Sequence, residues 1–401
     1  MISVDNISLA FEQRVLFKDV SIKFTPGNCY GIIGANGSGK STFLKILSGE
    51  LESDSGAVTV SRSDRIAVLK QDQFAFDEHT VMYTVMMGYG KLYDIMMEKD
   101  AIYEKEDFTE ADGMRAAELE AEFAEMNGWE AESTAAVILD GLGISVDLHQ
   151  KLMKDLDGGQ KVRVLLAQAL FGEPGILLLD EPTNNLDLES ISWLENFLYD
   201  FPNTVIVVSH DRHFLNKVCT HVADIDYGKI TLYVGNYDFC YQSVQIIQKQ
   251  VRDDKKRRED KIAELRSFIQ RFSANVAKSR QATSRKKLID KLTIDDIKPS
   301  SRKFPYVGFK PARDCGRNIL KTEDLGRTLE GERLFGKFSL DLGREDKAAF
   351  VGPMHLAKTE LFRILAGEAE PDEGSFEWGT TITFSYYPKE NSAWFESSLN
   401  L

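Results

Sequence analysis

Cysteine, long apolar runs and the marks of secretion are all scarce in this sequence of 401 residues. Its four cysteines, Cys29, Cys219, Cys240 and Cys315, are scattered and form no CxxC pair, which argues against a disulfide framework or a zinc ribbon. No apolar run approaches the roughly 18 residues of a membrane helix, and the first residues lack the basic-then-apolar pattern of a signal peptide. We therefore expect a cytoplasmic protein without membrane spans.

Basic residues are also in the minority. Lys and Arg number 49 against 63 Asp and Glu, so the net charge is −14. That balance excludes a uniformly basic nucleic-acid-binding protein, because attraction to phosphate needs an excess of Lys and Arg. Residues 251–303 are the exception, since they hold 17 Lys and Arg against 8 Asp and Glu, a local net charge of +9.

An internal repeat organises the chain. A shift of 318 residues places RVLFKDVSIKF over ERLFGKFSLDL, and GIIGANGSGKSTFLKILSGELESDSG over AFVGPMHLAKTELFRILAGEAEPDEG. The same shift aligns glycines and lysines at many positions, which chance does not produce. We predict one complete copy of a domain at 1–235, a linker at 236–305 and the opening of a second copy at 306–401.

The first copy has the pattern of an α/β domain with a mostly parallel sheet. Two apolar runs, 176–179 and 205–208, are bounded by turn or polar residues, as fully buried parallel strands are. A helix-rich insert at about 82 to 150, with many Ala, Glu and Met residues, precedes these runs. Alternating strands and helices of this kind predict a parallel sheet covered by helices.

The basic linker has a heptad-like apolar stripe. Its residues recur at spacings of three and four: Ile262, Leu265, Ile269, Phe272 and Val276. This spacing predicts a long helix packed on a partner. A polar tip at 278–287 and a return helix through Leu288, Leu292 and Ile297 would complete a basic helical hairpin. The alternative is a solvated charged linker.

The segment 34–41 fits the phosphate-loop pattern GxxxxGK[ST] between an apolar strand and a helical pattern. Its glycines allow backbone N–H groups to surround phosphate oxygens at a helix N-terminus. Lys40 would reach the β- and γ-phosphates, and the Ser41 hydroxyl would bind Mg²⁺. The other candidate nucleotide-binding residues here are Gly34, Asn36, Gly37, Ser38, Gly39 and Thr42. The alternative is a glycine-rich turn that binds nothing.

Two adjacent carboxylates, Asp180 and Glu181, end the apolar run LLL. Asp180 would hold Mg²⁺, and Glu181 would act as general base toward the attacking water. A solvated acidic turn is the alternative. The phosphate loop upstream favours the catalytic interpretation.

Further motifs resemble those of ATP-binding-cassette (ABC) ATPases. DGGQ followed by KVRVLLAQALF resembles their signature helix, DEPTNNLD their Walker B motif and D-loop, VSHDRHFLN their switch histidine and AVLKQDQF their Q-loop. The resemblance implies that Asp157, Gly158, Gly159 and Gln160 contact ATP, that His210 acts in catalysis at the γ-phosphate, and that Gln71 serves catalysis and Mg²⁺ binding. Phe11 matches the aromatic that stacks on adenine, with a place in the core as the alternative.

The tandem copies and the basic linker resemble the ABC-F family, and RFSANVAKSRQATSR and VCTHVADIDYG resemble its YbiT-like subgroup. The resemblance implies a cytoplasmic ATPase, monomeric when full-length, that binds the ribosomal tRNA exit site and places its linker near peptidyl-tRNA. The RNA-binding residues would then be Arg271, Lys278, Arg280, Arg285, Lys286 and Lys287. Two alternatives are a transporter's ATP-binding subunit and a nucleotide-switched binding module without turnover.

The second copy departs from the family pattern. Met354, His355, Ala357 and Glu360 replace Asn36, Gly37, Gly39 and Thr42. Lys358 and Thr359 are retained and stay candidate nucleotide-binding residues, whereas we expect the charge of Glu360 to repel phosphates.

Asp157 stands where the family usually has Ser. In this family each ATP lies between the phosphate loop of one cassette and the signature of the other. The changes therefore coincide in one composite site, which we expect to be regulatory or structural. The sequence stops before a second signature, so we expect a fragment with weak ATPase activity.

Overall fold

The structure is a computed structural model. It describes residues 1–11, 14–61, 64–70, 72, 74–272, 284, 288–289, 308, 315–329, 331–352 and 354–388. The chain divides into two compact units, Met1–Phe304 and Pro305–Leu401. The separate linker domain at 236–305 stays a prediction.

A three-stranded antiparallel sheet opens the first unit. It consists of β1 (Ile2–Phe11), β2 (Arg14–Phe24) and β4 (Ser55–Val60), in the order β2-β1-β4. Its apolar residues alternate along β1, so one face is buried and the other is exposed. Between β2 and β4 run β3 (Cys29–Gly34) and helix α1 (Lys40–Ser48). Buried residues of β1, β2, β3 and α1 share one core, so this sheet packs against the strand and helix that flank the predicted phosphate loop.

A six-stranded sheet forms the centre of this unit. Its further strands are β5 (Ile66–Val68), β6 (Ile176–Asp180), β7 (Thr204–Val208), β8 (His221–Asp226) and β9 (Lys229–Val234). The order is β5-β6-β7-β3-β8-β9, and the pairs are parallel except for β8 with β9. The predicted α/β fold with buried parallel strands at 176–179 and 205–208 is therefore confirmed. Because the C-terminal ends of parallel strands share one edge, Gly34 and Asp180 lie at the same edge of this sheet.

Helices cover the sheet and form a helical region. They are α2 (Val81–Met86), α3 (Gly90–Tyr103), α4 (Glu110–Glu125), α5 (Ala131–Gly141), α6 (Gly158–Leu170), α7 (Leu188–Tyr199) and α8 (Arg212–Val218). Leu177 and Leu179 of β6 pack into the core that these helices share, whereas Ile176 and Leu178 face the core with α1 and the antiparallel sheet. The helix-rich insert predicted at 82–150 corresponds to α2 through α5.

A helix of 36 residues, α9 (Tyr237–Phe272), follows β9 in the first unit. Leu265 of the predicted apolar stripe is 6% exposed. The predicted Val276, Leu292 and Ile297 lie outside the described residues. Among the residues that the structure does describe, no helix combines the length and the apolar character that crossing a membrane requires.

The second unit repeats the antiparallel sheet. Its elements are β10 (Asn318–Leu329), β11 (Glu332–Gly343), α10 (His355–Leu365) and β12 (Glu373–Trp378), and the sheet order is β11-β10-β12. Leu320 pairs with Leu342 and Trp378, as Ile2 pairs with Phe24 and Val60. Each partner is displaced by the same 318 residues. The repeat seen in the sequence is therefore also a repeat of strand register.

The cysteines form no disulfide. Cys29, Cys219 and Cys240 are buried, and Cys315 is exposed. The Sγ atoms of Cys29 and Cys219 lie 4.0 Å apart. These three buried thiols act as small apolar groups in the core.

Candidate nucleotide-binding site

The phosphate loop joins the end of β3 to the start of α1. Gly37 and Gly39 have φ angles of 72° and 99°, in the left-handed region that favours glycine. A Cβ atom on Gly39 would also lie 2.8 Å from Cζ of Phe17. Both backbone geometry and packing therefore require glycine at position 39.

The polar side chains of this loop suit an anionic ligand. Lys40 is 8% exposed, and its Nζ donates to the carbonyl oxygens of Gly34 (3.2 Å) and Ala35 (3.3 Å). The Oγ atom of Ser38 is buried and has no hydrogen-bond partner within the protein. Buried polar atoms are rarely left without a partner. The unpaired Ser38 hydroxyl and the Lys40 ammonium, which bonds to carbonyl oxygens of its own loop in the hydrogen bonds above, therefore fit a loop that binds phosphate.

Arg14, at the start of β2, is a component of the site that the sequence did not reveal. Its Nη2 donates to the carbonyl oxygen of Gly37 at 2.6 Å. Arg14 also lines a cavity of about 240 Å³ together with Val15, Asn36, Gly37, Ser38 and Tyr227, among others. No motif includes this arginine, so nothing in the local sequence signals the contact.

Phe11 is the cross-strand partner of Arg14 at the end of the β1–β2 pair. Its side chain is 51% exposed, which rules out the alternative that it is a core residue. An exposed aromatic ring is available for stacking, and its stacking on adenine stays a prediction.

The acidic pair lies at the end of β6, with Asp180 as its last residue and Glu181 just after it. Glu181 has a φ of 50°, and its N–H donates to the carbonyl oxygen of Val208 at 2.8 Å. This bond fixes the backbone of Glu181 beside the end of β7. Glu181 therefore lies next to the segment that carries His210, which follows the same strand.

Glu181 and His210 are in contact. The backbone N–H of His210 donates to Oε2 of Glu181 at 3.2 Å, and Nε2 of His210 lies 3.6 Å from Oε1. Burial raises the pKa of Glu181, whereas the His210 N–H bond and the nearby Lys40 act in the opposite direction. Lys40 is thus close enough to Glu181 to lower the pKa of its carboxyl group. The structure brings the phosphate loop, the acidic pair and the histidine together.

The predicted signature residues begin α6. Oδ1 of Asp157 accepts from the N–H of Gln160 at 2.8 Å, and Oε1 of Gln160 accepts from the N–H of Asp157 at 3.1 Å. This reciprocal capping box satisfies two free donors at the helix start. Gly158 and Gly159 form the first turn. The structure therefore gives Asp157 a role as helix cap, for which Asp and Ser are about equally suited.

Two basic residues just after the signature were also missed. Lys161, with a side chain 7% exposed, forms an ion pair with Asp77. Nη1 of Arg163 lies 3.7 Å from Oδ2 of Asp187, which caps α7. These partners are distant in sequence, so no local pattern could identify them.

Several predicted site residues lie outside the described part of the chain. They are Gln71, Lys278, Arg280, Arg285, Lys286 and Lys287. Arg271 lies on α9, and the structure describes only its backbone. Their functional roles stay predictions.

The second copy has a different loop. Its helix α10 starts at His355, which corresponds to Gly37, so residues 355–357 are helical where 37–39 form the phosphate loop. Nζ of Lys358 donates to the carbonyl oxygen of Gly352 at 2.7 Å. A role for Lys358 and Thr359 in nucleotide binding stays a prediction.

The expectation that Glu360 repels phosphates needs correction. Glu360 is 3% exposed, and its Oε1 accepts from Arg363 at 2.7 Å while Oε2 lies 3.6 Å from Nε of Arg327. A buried carboxylate beside two guanidinium groups has its charge compensated locally. The sequence showed the substitution of Thr42 by Glu360 but not the arginine that accompanies it at position 327.

Comparison with known proteins identifies the family. The family described as ABC transporter matches residues 17–184, and a second profile of the same description matches 223–309. The uncharacterized ABC transporter ATP-binding protein YkpA of Bacillus subtilis is 60% identical over 402 residues, which cover 100% of this chain and 74% of YkpA. The chain belongs to the ABC family of ATP-binding proteins.

Other relatives are consistent with this membership. The probable ATP-binding protein YbiT of Escherichia coli O157:H7 is 44% identical over 100% of this chain and 76% of its own length. Among solved structures, an ATP-binding subunit of an ABC transporter is 17% identical, with a TM-score of 0.47 over 61% of this chain and 93% of that one. The family membership rests on the identity to YkpA and YbiT. ABC cassettes are ATPases, and this chain is an ATP-binding member of the family.

Proposed function

We propose that the first copy hydrolyses ATP at the site formed by the phosphate loop, Glu181 and His210. The observation that carries this proposal is the hydrogen bond of 3.2 Å from the backbone N–H of His210 to Oε2 of Glu181. Lys40 is close enough to this carboxyl group to lower its pKa. Lys40 would neutralise phosphate charge, and the loop residues Gly34, Asn36, Gly37, Ser38, Gly39, Ser41 and Thr42 would surround the phosphates. These are the groups that phosphoryl transfer requires.

Mg²⁺ would be held by the Ser41 hydroxyl and the Asp180 carboxylate, with Gln71 added by family resemblance. The hydroxyl and carboxylate oxygens are hard ligands of the kind that this ion prefers. When bound, the ion supplies positive charge that offsets the charge of the phosphate oxygens. The rest of the chemistry rests on the side chains of the chain itself.

Glu181 is the general base of the proposed reaction. Its carboxylate takes one proton from water as the water oxygen attacks the γ-phosphorus, and the bond to the β-phosphate oxygen breaks to release ADP and phosphate. The His210 N–H donates to Oε2, and Oε1 accepts no hydrogen bond within the protein, so we assign Oε1 as the oxygen that receives the proton. A partly buried carboxylate with a raised pKa is a stronger base than an exposed one.

The signature residues Asp157, Gly158, Gly159 and Gln160 would contact an ATP held by another cassette. Within one chain that ATP would lie on the second copy, near Lys358 and Thr359. The second loop has lost its glycines to His355 and Ala357. We therefore propose that this second composite site is regulatory or structural.

We further propose that the protein is an ABC-F factor of the YbiT-like subgroup that acts in the cytoplasm on the ribosomal tRNA exit site and peptidyl-tRNA. The support is the basic charge of 251–303, the helix α9 that carries part of it, and the duplicated cassette. Salt-dependent attraction to RNA phosphates would come from the linker. Its contact residues would be Arg271, Lys278, Arg280, Arg285, Lys286 and Lys287.

The test is co-sedimentation of the Glu181→Gln variant with ribosomes, in ATP and in ADP, at two salt concentrations. Gln keeps the shape and removes the base, so bound ATP should persist. We expect ATP-dependent pelleting that weakens at high salt. The double variant with Lys40→Ala is the control, since it should pellet no better in ATP than in ADP.

Pelleting that ignores nucleotide would contradict the ATP-driven mechanism. If neither this chain nor the same chain extended with the remaining length of a relative pelleted with ribosomes, the ribosome would be excluded as the partner. Co-purification with a membrane protein would then favour the reading as a transporter subunit, a class that the name of YkpA also mentions. Nucleotide-dependent binding without turnover would favour the switched binding module.

A further inference from the structure

Arg14 contacts the phosphate loop at one of its two glycines with a left-handed backbone, Gly37. Its guanidinium donates to the carbonyl oxygen of Gly37 at 2.6 Å, and Gly37 has a φ of 72°. The bond joins the edge of the antiparallel sheet to the loop that would surround phosphates. A charge-assisted hydrogen bond of this length is among the stronger ones.

The cavity beside this contact is suited to an anion. Arg14 alone carries charge among the described residues that line it, which include Asn36, Ser38 and Tyr227. The cavity is therefore positively charged on the side of Arg14, and none of the described residues that line it is Asp or Glu. Its volume of about 240 Å³ is too small for a whole nucleotide and large enough for part of one.

The second copy lacks the equivalent of Arg14. Glu332 occupies the position of Arg14, Leu329 that of Phe11 and His355 that of Gly37. The charge is reversed, and the carbonyl partner now lies in a helix that begins at His355. In this chain the arginine and the left-handed glycine are thus found together in one copy and absent together in the other.

We infer that Arg14 is a nucleotide-positioning residue of the first copy, and this rests on the proposed ATP site. It holds the Gly37 carbonyl so that the loop is open before the ligand arrives, and its charge favours the phosphorylated part of the nucleotide. Arg14 is then a determinant of phosphate recognition, distinct from the recognition of adenine by Phe11.

The experiment compares Arg14→Gln, Arg14→Lys and Arg14→Glu with the unmodified chain of 401 residues. The Kd values of Mg·ATP, Mg·ADP and adenosine are measured by competition with a fluorescent ATP analogue. Loss of a charge-assisted hydrogen bond predicts that Arg14→Gln weakens ATP and ADP binding by about tenfold. Adenosine binding should change less than twofold, Arg14→Lys should recover part of the loss, and Arg14→Glu should be weaker than Arg14→Gln.

Lys18→Gln is the matched control, because it removes the same charge from an exposed residue of the same strand and should leave all three Kd values unchanged. The inference is overturned if Arg14→Gln binds ATP within twofold of the unmodified chain, or if adenosine affinity falls as much as ATP affinity. Lys40→Ala separates the two claims. If the unmodified chain binds ATP no better than Lys40→Ala does, the proposed ATP site itself fails and the inference fails with it.

Discussion

Lys161 and Asp77 form an ion pair that joins the first turn of α6 to the segment following β5, across 84 residues of sequence. The Lys161 ammonium also lies 4.9 Å from the ring centroid of Phe74. The segment that carries Asp77 leads into α2, and the signature residues begin α6. The pair therefore fixes where the signature turn starts relative to the rest of the domain.

Breaking this pair should destabilise the first unit. Lys161→Met keeps the length of the side chain but leaves the Asp77 carboxylate, which is 29% exposed, without its partner. We expect a loss of about 1–3 kcal/mol in the free energy of unfolding, below the range for fully buried pairs because Asp77 retains some water. Urea denaturation followed by circular dichroism measures it.

The neighbouring pair Lys154–Glu78 supplies the control, since its side chains are 47% and 82% exposed. Lys154→Met should change the stability by less than about 0.5 kcal/mol. Adding Asp77→Leu to Lys161→Met should recover part of the loss. Equal effects of Lys161→Met and Lys154→Met would show that burial of the pair is unimportant.

The raised pKa of Glu181 predicts a dependence of stability on pH. Burial is the main cause of the shift, so the folded protein binds a proton at pH values where the unfolded chain, with a pKa of about 4.3, has released it. Stability therefore falls as the pH rises through this window. Glu181→Gln carries no such charge and should have a higher Tm than the unmodified chain above the window, with the difference vanishing below about pH 4.

Calorimetry at pH 4 and pH 8 checks this, and the ATPase rate gives a second measure. As a general base, Glu181 must be deprotonated, so the acid limb of the rate profile should lie above the pKa of an ordinary glutamate. An identical Tm difference at both pH values would contradict the assignment of burial as the cause.

Replacing Gly39 should be far more damaging than replacing Gly49. Both residues have left-handed φ angles, 99° and 79°, so alanine strains both by roughly 1 kcal/mol. Only at Gly39 would the new Cβ meet another atom, Cζ of Phe17, at 2.8 Å. We expect Gly39→Ala to abolish ATP binding and Gly49→Ala to retain it, as measured by titration with a fluorescent nucleotide. Retained binding in Gly39→Ala would show that the loop can rearrange.

The capping box at the start of α6 separates the structural from the functional effect of Asp157. Asp157→Ala should cost about 1 kcal/mol of stability, whereas Asp157→Ser should cost almost nothing, because serine caps as well as aspartate. Thermal unfolding of both variants measures this. A serine that destabilises as much as alanine would mean that the carboxylate acts through its charge rather than as a cap.

The two lysines of the duplicated loops should differ in importance. Lys40→Ala should reduce the ATPase rate by at least two orders of magnitude, since it removes the charge that faces the phosphates. Lys358→Ala should have a small effect, because the second loop is helical at 355–357. Phosphate release from the chain measures both. Equal losses would show that the second site takes part in turnover.

The parts of the site that could be predicted from the sequence are those built from consecutive residues. Local sequence patterns predict the phosphate loop, the strand ends at Asp180 and Val208, and the signature turn. The structure has the backbone conformation that each pattern predicts. The contacts of Arg14 with Gly37 and of Lys161 with Asp77 depend on tertiary packing between segments 23 and 84 residues apart. Side-chain spacing carries no information about such contacts.

Glu360 illustrates the same limit. Alignment of the two copies correctly located the replacement of Thr42, but the effect of a charge depends on what surrounds it. Arg327 corresponds to Leu9 in the first copy, so the compensating group lies on strand β10 whereas Glu360 lies on helix α10. Only the folded arrangement shows that the two substitutions form one ion pair.

The uneven exposure of the cysteines makes the second unit selectively accessible to thiol chemistry. Cys29, Cys219 and Cys240 are buried in the first unit, and Cys315 is exposed in the second. A maleimide dye under native conditions should therefore attach at Cys315 and leave the nucleotide-binding cassette unlabelled. The natural sequence thus provides a single attachment point for a fluorophore or spin label, without any engineered cysteine.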